Sequence, residues 1–354
     1  MSVGEPDFPT PEHIVAAAGE AIHAGYTKYS PVPGYLSTRE AACGKLLREN
    51  GLQYTPSEIV ISGGAKQSVC NAVLALVSPG DEVIIPAPFW VSYPQMVLLA
   101  GGVPVHPFCG MESGFKLTPE QLRSAITPRT RLVILCSPSN PTGAVYTAAE
   151  LEALAEVILA RKDILVISDE IYEHLNYTGT HASIASVPGM KERCVVVNGV
   201  SKAYAMTGWR IGFSAAPKWI TDACSMIQGQ YTSGPSSISQ KAAEAAWNGP
   251  QDCVERMRQA FRRRRDLLVS MIKDIPGLDA YTPDGAFYLF PRCTRFLGQG
   301  RPTASALALG MLESSHVCVV GGDAFGAPGH FRISYAISEE RVAEGVKRMA
   351  RALI

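Results

Sequence analysis

Short apolar runs and longer mixed stretches alternate along this chain. Between about residue 35 and residue 220 the apolar runs are strand-length and the stretches between them are helix-length. That alternation predicts an α/β fold with a mainly parallel sheet and crossover helices. The run Ile164-Leu165-Val166-Ile167-Ser168 reads as a buried parallel strand, Leu132 to Cys136 as another, and the β-branched segment Glu58 to Ser62 as a third. Gly63-Gly64-Ala65-Lys66-Gln67 follows the last of these and opens an apolar helix through Val77. A long helical stretch from about Pro250 to Lys273 leads to Pro276-Gly277, which marks a boundary. Beyond it, short strands around Ala286 to Phe290 and Phe331 to Ser334 alternate with helices near Thr303 to Ser315 and Ser338 to Leu353. These predict a smaller second lobe.

Composition narrows the class. With 354 residues, 47% of them hydrophobic and 18% charged, the chain has the makings of a large core. A chain of this length buries roughly three quarters of its unfolded surface. Thirty-two basic side chains balance 32 acidic ones, so no electrostatic footprint for nucleic acid is expected. Arg262 to Arg265 is a basic run, but consecutive helical positions turn by about 100° each and cannot share a face. It reads as a solvated helix surface or an ion-pair network. Nine scattered cysteines, an odd count, suggest reduced thiols. No charged-then-apolar leader and no apolar run near 18 residues stands out, and a cytoplasmic location is expected. Neither GxGxxG nor a Walker-type loop occurs, which argues against nucleotide chemistry.

The chemistry-bearing residues gather at the predicted strand ends. Ser201-Lys202-Ala203-Tyr204-Ala205-Met206-Thr207-Gly208-Trp209-Arg210 places a lysine in a polar, Gly-flanked turn, with an arginine eight residues on. Such a lysine can close a Schiff base on an aldehyde cofactor, and such an arginine can grip its phosphate in bidentate fashion. Asp169-Glu170-Ile171-Tyr172 ends a predicted strand, where α/β sheets bind ligands. A buried Asp169 would keep a pyridine nitrogen protonated. Tyr172 could donate to that ring's phenolic oxygen, and the Asn140 amide, set in the turn Ser137-Pro138-Ser139-Asn140-Pro141-Thr142-Gly143, could bond the same atom. The free amides after Gly63-Gly64 aim at an anion. Singly, each has a bland reading. Trp90 would be core packing, Asp169 a helix cap, Arg332 an ion-pair partner and His174 a structural histidine, since no second histidine or CxxC accompanies it and no metal is expected. Their convergence in one order favours a single pyridoxal phosphate site.

At this point the chain resembles the fold-type I aminotransferases, and more closely their bacterial and plant aspartate aminotransferase branch (class I, subgroup beta). The resemblance runs nearly end to end, through Val3 to Phe8, Thr27-Lys28-Tyr29, Pro88 to Pro94, the Asn-Pro-Thr-Gly turn, the lysine segment, Gly285 to Tyr288 and Phe331 to Ala336. It implies a large domain over 14–270, with a mainly parallel seven-stranded sheet flanked by helices, and a smaller α/β domain from 1–13 and 271–354. It makes Lys202 the Schiff-base lysine that moves a proton between the substrate α-carbon and C4′ of the cofactor. Asp169 becomes the pyridinium partner. Tyr172 and Asn140 bond the phenolic oxygen, Trp90 stacks on the ring, and Arg210 with Gly64, Ala65 and Lys66 holds the phosphate. Arg332 grips the substrate α-carboxylate, Gly4 gives it a backbone contact, and Tyr29 reaches the phosphate across a homodimer interface, so active sites are shared.

Three departures from that pattern qualify the resemblance. The chain begins at the Gly-Glu-Pro-Asp segment, where relatives carry a few tens of residues ahead of it, so an N-terminal arm is expected to be missing. Gly199 stands where more distant aminotransferases place a phosphate-binding serine, a role Ser201 could take. Cys293 to Thr303 is short beside relatives. The implied reaction is ping-pong transfer from L-aspartate to 2-oxoglutarate, with Lys66 a candidate for a second substrate carboxylate. An aromatic or prephenate aminotransferase is the alternative, followed by a carbon-sulfur β-lyase and a non-catalytic cofactor-binding module.

Overall fold

The computed structural model describes residues 1–298 and 300–353. Ten strands are present among them: β1 (Ile59–Ser62), β2 (Glu82–Ile84), β3 (Val103–Val105), β4 (Thr130–Cys136), β5 (Leu165–Asp169), β6 (Cys194–Gly199), β7 (Gly212–Ala215), β8 (Tyr288–Leu289), β9 (Val320–Gly321) and β10 (Phe331–Ser334). The helices are α1 (Glu12–His23), α2 (Leu36–Asn50), α3 (Ala65–Leu76), α4 (Ser92–Leu99), α5 (Pro119–Ala125), α6 (Ala148–Leu159), α7 (Lys218–Tyr231), α8 (Ser237–Asn248), α9 (Asp252–Lys273), α10 (Ala304–Ser315) and α11 (Glu339–Leu353).

Seven strands form one sheet in the order β1-β7-β6-β5-β4-β2-β3, and only β7 runs against the rest. The strands read as unbroken apolar runs because both faces are covered. Leu132 and Ile134 of β4, Ile167 of β5 and Val195 and Val197 of β6 pack on the side of α3, α7 and α9. Their alternates Val133, Leu135, Val166 and Val196 pack on the side of α2, α6 and α8. A period of two therefore exists without a polar face to reveal it. β8, β10 and β9 make a second, antiparallel sheet. α11 turns Val342, Val346 and Met349 inward, a stripe at helical spacing, and packs beside α9 and α10.

Boundaries differ from expectation where local chemistry intervenes. β1 starts at Ile59, since Pro56–Glu58 forms a 3₁₀ turn closed by a capping box between Thr55 and Glu58. Only Tyr288 and Leu289 of the expected Ala286–Phe290 strand join the sheet, because Ala286 adopts a left-handed φ of 55° and bends the chain. The long helix ends at Lys273 as expected and begins at Asp252, just past Pro250. All nine cysteines are unpaired. No helix among the described residues is long and apolar enough to cross a membrane.

One close approach fixes where the site lies. Gly199 and Gly212 face each other across β6 and β7, and a Cβ on Gly212 would stand 2.3 Å from the Ala65 nitrogen. The first turn of α3 therefore rests directly on the β7 backbone. Gly212→Ala is expected to force them apart at about 1–3 kcal/mol, lowering the thermal midpoint on the order of 2–6 °C. An unchanged midpoint in a thermal unfolding scan would show that this contact is slack.

Candidate active site

The carboxyl ends of β4, β5 and β6 lie side by side, with Cys136 paired to Asp169 and Asp169 to Val197. Each hands the chain to a turn bearing a polar side chain. Asp169 closes β5 itself, Asn140 follows β4, and Ser201 and Lys202 follow β6. From the other direction come Ala65 and Lys66 in the first turn of α3, Trp90 ahead of α4, and Arg332 from β10. All of these, with Gly4, Tyr172 and Arg210, line one cavity of about 310 Å³. Tyr93, Cys136, Ile171, Thr207 and Tyr288 complete its wall.

Burial governs the electrostatics of this cavity. Asp169 is 4% exposed, and desolvation pushes its carboxyl up to about 6 against the pull of a 2.6 Å hydrogen bond from Tyr93 and a 3.2 Å one from the Ile171 amide. Desolvation also lowers the Lys202 ammonium to about 8, partly opposed by Glu5 and reinforced by Arg210 and Arg332. The Lys202 Nζ donates to the Gly4 carbonyl at 2.6 Å. Arg332 donates to Asn140 Oδ1 at 2.8 Å and to the Ser2 carbonyl at 2.6 Å, while its Nε has no partner. Its guanidinium lies 4.5 Å from the Tyr288 ring centre and 5.0 Å from that of Phe325. Arg210 is held in a left-handed conformation, φ 57°, donating to the Thr207 and Gly63 carbonyls. A Cβ on Gly64 would sit 2.5 Å from that guanidinium. Glycine there lets the loop close against Arg210.

Most sequence-predicted residues thus meet in one place. Gly64 backs Arg210 without lining the cavity, and Tyr29 stands apart. It is 96% exposed, beside a hollow walled by Tyr26, Pro235 and Ser237. Two side chains went unassigned in the sequence. Tyr93 sits one helical turn after Trp90, and that spacing was a usable signal. Tyr288 lay within a quoted segment but carried no role.

Two other readings change. His174 does have a histidine neighbour in space. His174 lies 2.9 Å from Glu49 and His181 lies 3.0 Å from Glu170, both grouped around the buried Glu173. Lys45 bonds Glu173 directly, so an ammonium already supplies the cation these carboxylates need. The basic run is not wholly solvated either, since Arg264 is 8% exposed, makes a bidentate pair with Asp7 and stacks on Phe8.

The family model for aminotransferase class I and II matches residues 1–349. The chain belongs to the class I and II aminotransferase family. It is 50% identical to the aspartate/prephenate aminotransferase of Cereibacter sphaeroides, covering 99% of this chain and 89% of that one. The crystal structure of the aspartate aminotransferase from Rhizobium meliloti superposes with a TM-score of 0.96 at 48% identity, over 99% of this chain and 90% of that one. The Thermus thermophilus aspartate aminotransferase with maleate gives 0.94 at 45% identity, over 99% and 90%. This chain is a pyridoxal-phosphate-dependent aminotransferase.

The residues present fit that cofactor. Asp169 is a carboxylate whose burial leaves it short of a positive partner, as a pyridinium would be. Arg210 and the amide end of α3 face one another across a glycine, a cradle suited to phosphate. Lys202 is an amine whose lowered pKa favours its nucleophilic form. The rate at which apoenzyme captures pyridoxal phosphate should therefore rise about tenfold per pH unit below pH 8 and level off above it. Stopped-flow absorbance across pH 6–10 reads this directly. Lys202→Ala should abolish both the visible band and turnover, and wild-type turnover in that variant would refute the assignment.

Proposed function

We propose that this chain transfers the amino group of L-aspartate to 2-oxoglutarate, giving oxaloacetate and L-glutamate in ping-pong fashion. The observation that carries this reading is that Arg332 and Lys66 line the same cavity as Lys202, with Arg210 left to face the amide end of α3. Arg332 is buried between aromatic rings, and the Lys66 Nζ lies 5.2 Å from the Trp90 ring centre. Arg332 suits the α-carboxylate, and Lys66 suits the distal carboxylate of a dicarboxylic substrate. The maleate named for the Thermus relative is itself a dicarboxylate.

In this reading pyridoxal phosphate, when bound, supplies an electron sink for the substrate α-carbon. The chain's own groups do the rest. Arg332 exchanges Asn140 and the Ser2 carbonyl for the substrate carboxylate, and its planar fork fixes the α-carbon beside Lys202. The Lys202 amine, held down to about 8, would take the substrate α-proton and carry it across the intervening nitrogen to C4′ of the cofactor. Asp169 would keep the ring nitrogen protonated, Tyr172 and the Asn140 Nδ2 group would hold its phenolic oxygen, and Trp90 would cover its face. Arg210, Ser201 and the amides of Gly64 to Lys66 secure the phosphate. Residues 14–270 would then be the cofactor-bearing domain, with 1–13 joined to 271–354, a division supported by the Ser334 amide bonding the Met1 carbonyl. The exposure of Tyr29 supports its expected place in a homodimer, where it would serve the partner's site, in a cytoplasmic enzyme.

The test is an absorbance titration. The holoenzyme's visible band should give way to a near-ultraviolet band on adding L-aspartate and return with 2-oxoglutarate. A band indifferent to aspartate but responsive to an aromatic amino acid would move the reading to the aromatic or prephenate branch. Lys66→Ser should raise KM for aspartate roughly tenfold or more and leave alanine unaffected. Equal effects on both substrates would remove Lys66 from the distal site.

A further inference from the structure

Tyr172 lies in the turn after β5 and Tyr288 on β8 of the second sheet, yet their hydroxyl oxygens meet at 2.8 Å inside the cavity wall. Tyr172 is 4% exposed and Tyr288 1%. Burial raises both phenols far from ionisation at neutral pH, so each oxygen carries its proton there. A phenol has one proton to give. If Tyr172 donates to Tyr288, it has none left for anything in the cavity. If Tyr288 donates to Tyr172, the Tyr172 proton is free to point inward. The Tyr288 oxygen is boxed in on another side by the Gly4 backbone, since a Cβ there would lie 2.1 Å away.

We infer that Tyr288 is a positioning residue for this site. Its hydroxyl donates to Tyr172 and thereby turns the single Tyr172 proton toward an anionic oxygen in the cavity, while its ring braces the Arg332 guanidinium. With an anionic oxygen bound next to Tyr172, the order Tyr288 to Tyr172 to anion is the one that engages both protons. A donor that itself accepts a hydrogen bond is strengthened by it. The same side chain lies 4.5 Å beneath Arg332, so one residue orders the contacts to the cofactor ring and to the substrate carboxylate. The charged and titratable groups that face this pair are Arg332 from β10, Cys136 from the end of β4, and Lys202, whose Nζ is 5.8 Å from the Tyr172 ring centre. Gly4 becomes part of the device, because any side chain there would displace the Tyr288 hydroxyl.

The inference rests on the reading in which Tyr172 bonds the phenolic oxygen of pyridoxal phosphate, and its test separates the two. The readout is the pH midpoint at which the visible band of the bound cofactor changes, measured without substrate in wild-type, Tyr288→Phe and Tyr172→Phe holoenzymes. Loss of a donor to the phenolate side disfavours the deprotonated chromophore, so the midpoint moves up. Tyr172→Phe should shift it most, and Tyr288→Phe by about 0.3–1 pH unit in the same direction. Tyr288→Phe keeps the ring, so kcat should fall severalfold with KM for the amino acid nearly unchanged. Tyr288→Leu, which removes the brace, should also raise that KM about tenfold. A shift with Tyr172→Phe and none with Tyr288→Phe would overturn the inference and leave the site reading intact. No shift with either would refute the role of Tyr172 and the inference with it. Thermal unfolding of each variant reports folding separately, and a purely structural role for Tyr288 would move that and not the midpoint.

Discussion

The structure turns on keeping opposite charges dry within one cavity. Asp169 and Arg332 are each more than nine-tenths buried and Lys202 is partly buried, and removing an ion from water costs several kcal/mol. The cavity offsets that cost incompletely. Asp169 has neutral donors, Tyr93 and the Ile171 amide, and no cation in hydrogen-bond contact. Lys202 and Arg332 have neutral carbonyls where carboxylates would serve better. Each charge is therefore solvated by dipoles and left wanting its counterion. In the proposed reading a pyridinium would pair with Asp169 and a substrate carboxylate with Arg332.

Holding that arrangement requires rigid support on every side. The β4, β5 and β6 ends are aligned by parallel pairing, which leaves Asp169 no freedom to withdraw toward solvent. Behind it, Glu170 accepts from Ser168 and Ser183 and faces His181, and the neighbouring Glu173 is neutralised by Lys45. The charge next to Asp169 in sequence thus has its own partners, and its residual repulsion adds to the upward push on the Asp169 carboxyl. Glycines at 199 and 212 let α3 settle onto the sheet, and the amide end of that helix arrives opposite Arg210. Packing in the fold and placement of the phosphate cradle are one constraint.

How much of this the chain disclosed depends on whether a contact is local in sequence. Strand ends, the lysine turn and the Gly63-Gly64 helix start are local patterns, and Lys202, Asp169, Asn140 and Ala65 were legible from them. Arg332 was legible through the family resemblance alone, since by local pattern it read as an ion-pair partner. Tyr93 and Tyr288 were not, because a tyrosine amid apolar residues looks like core until its hydroxyl partner, 76 and 116 residues away, is known. His181 escaped for the same reason, since its acidic partners Glu170 and Glu173 follow β5 in a turn and reach it across a loop that no periodicity encodes. For Arg264 the ion-pair alternative is the one that fits, with a partner no local pattern named. Its place on a basic helix suggested solvent, whereas Asp7, 257 residues upstream, draws it into the core.

The N-terminal segment links these themes. Met1 to Asp7 lies along β10, over the cavity and against α9, through the Met1, Ser2 and Gly4 carbonyls and the Asp7 carboxylate. Two of those carbonyls occupy the hydrogen-bond donors that the reaction needs, one on Lys202 and one on Arg332. A neutral carbonyl is a weaker acceptor for a guanidinium than a carboxylate is, so the exchange favours substrate by the difference between ordinary and charge-assisted hydrogen bonds. The segment is also anchored through Ser334 and Arg264, neither of which lines the cavity. The same short segment therefore reaches both cations of the cavity and, on its other side, the second sheet and α9.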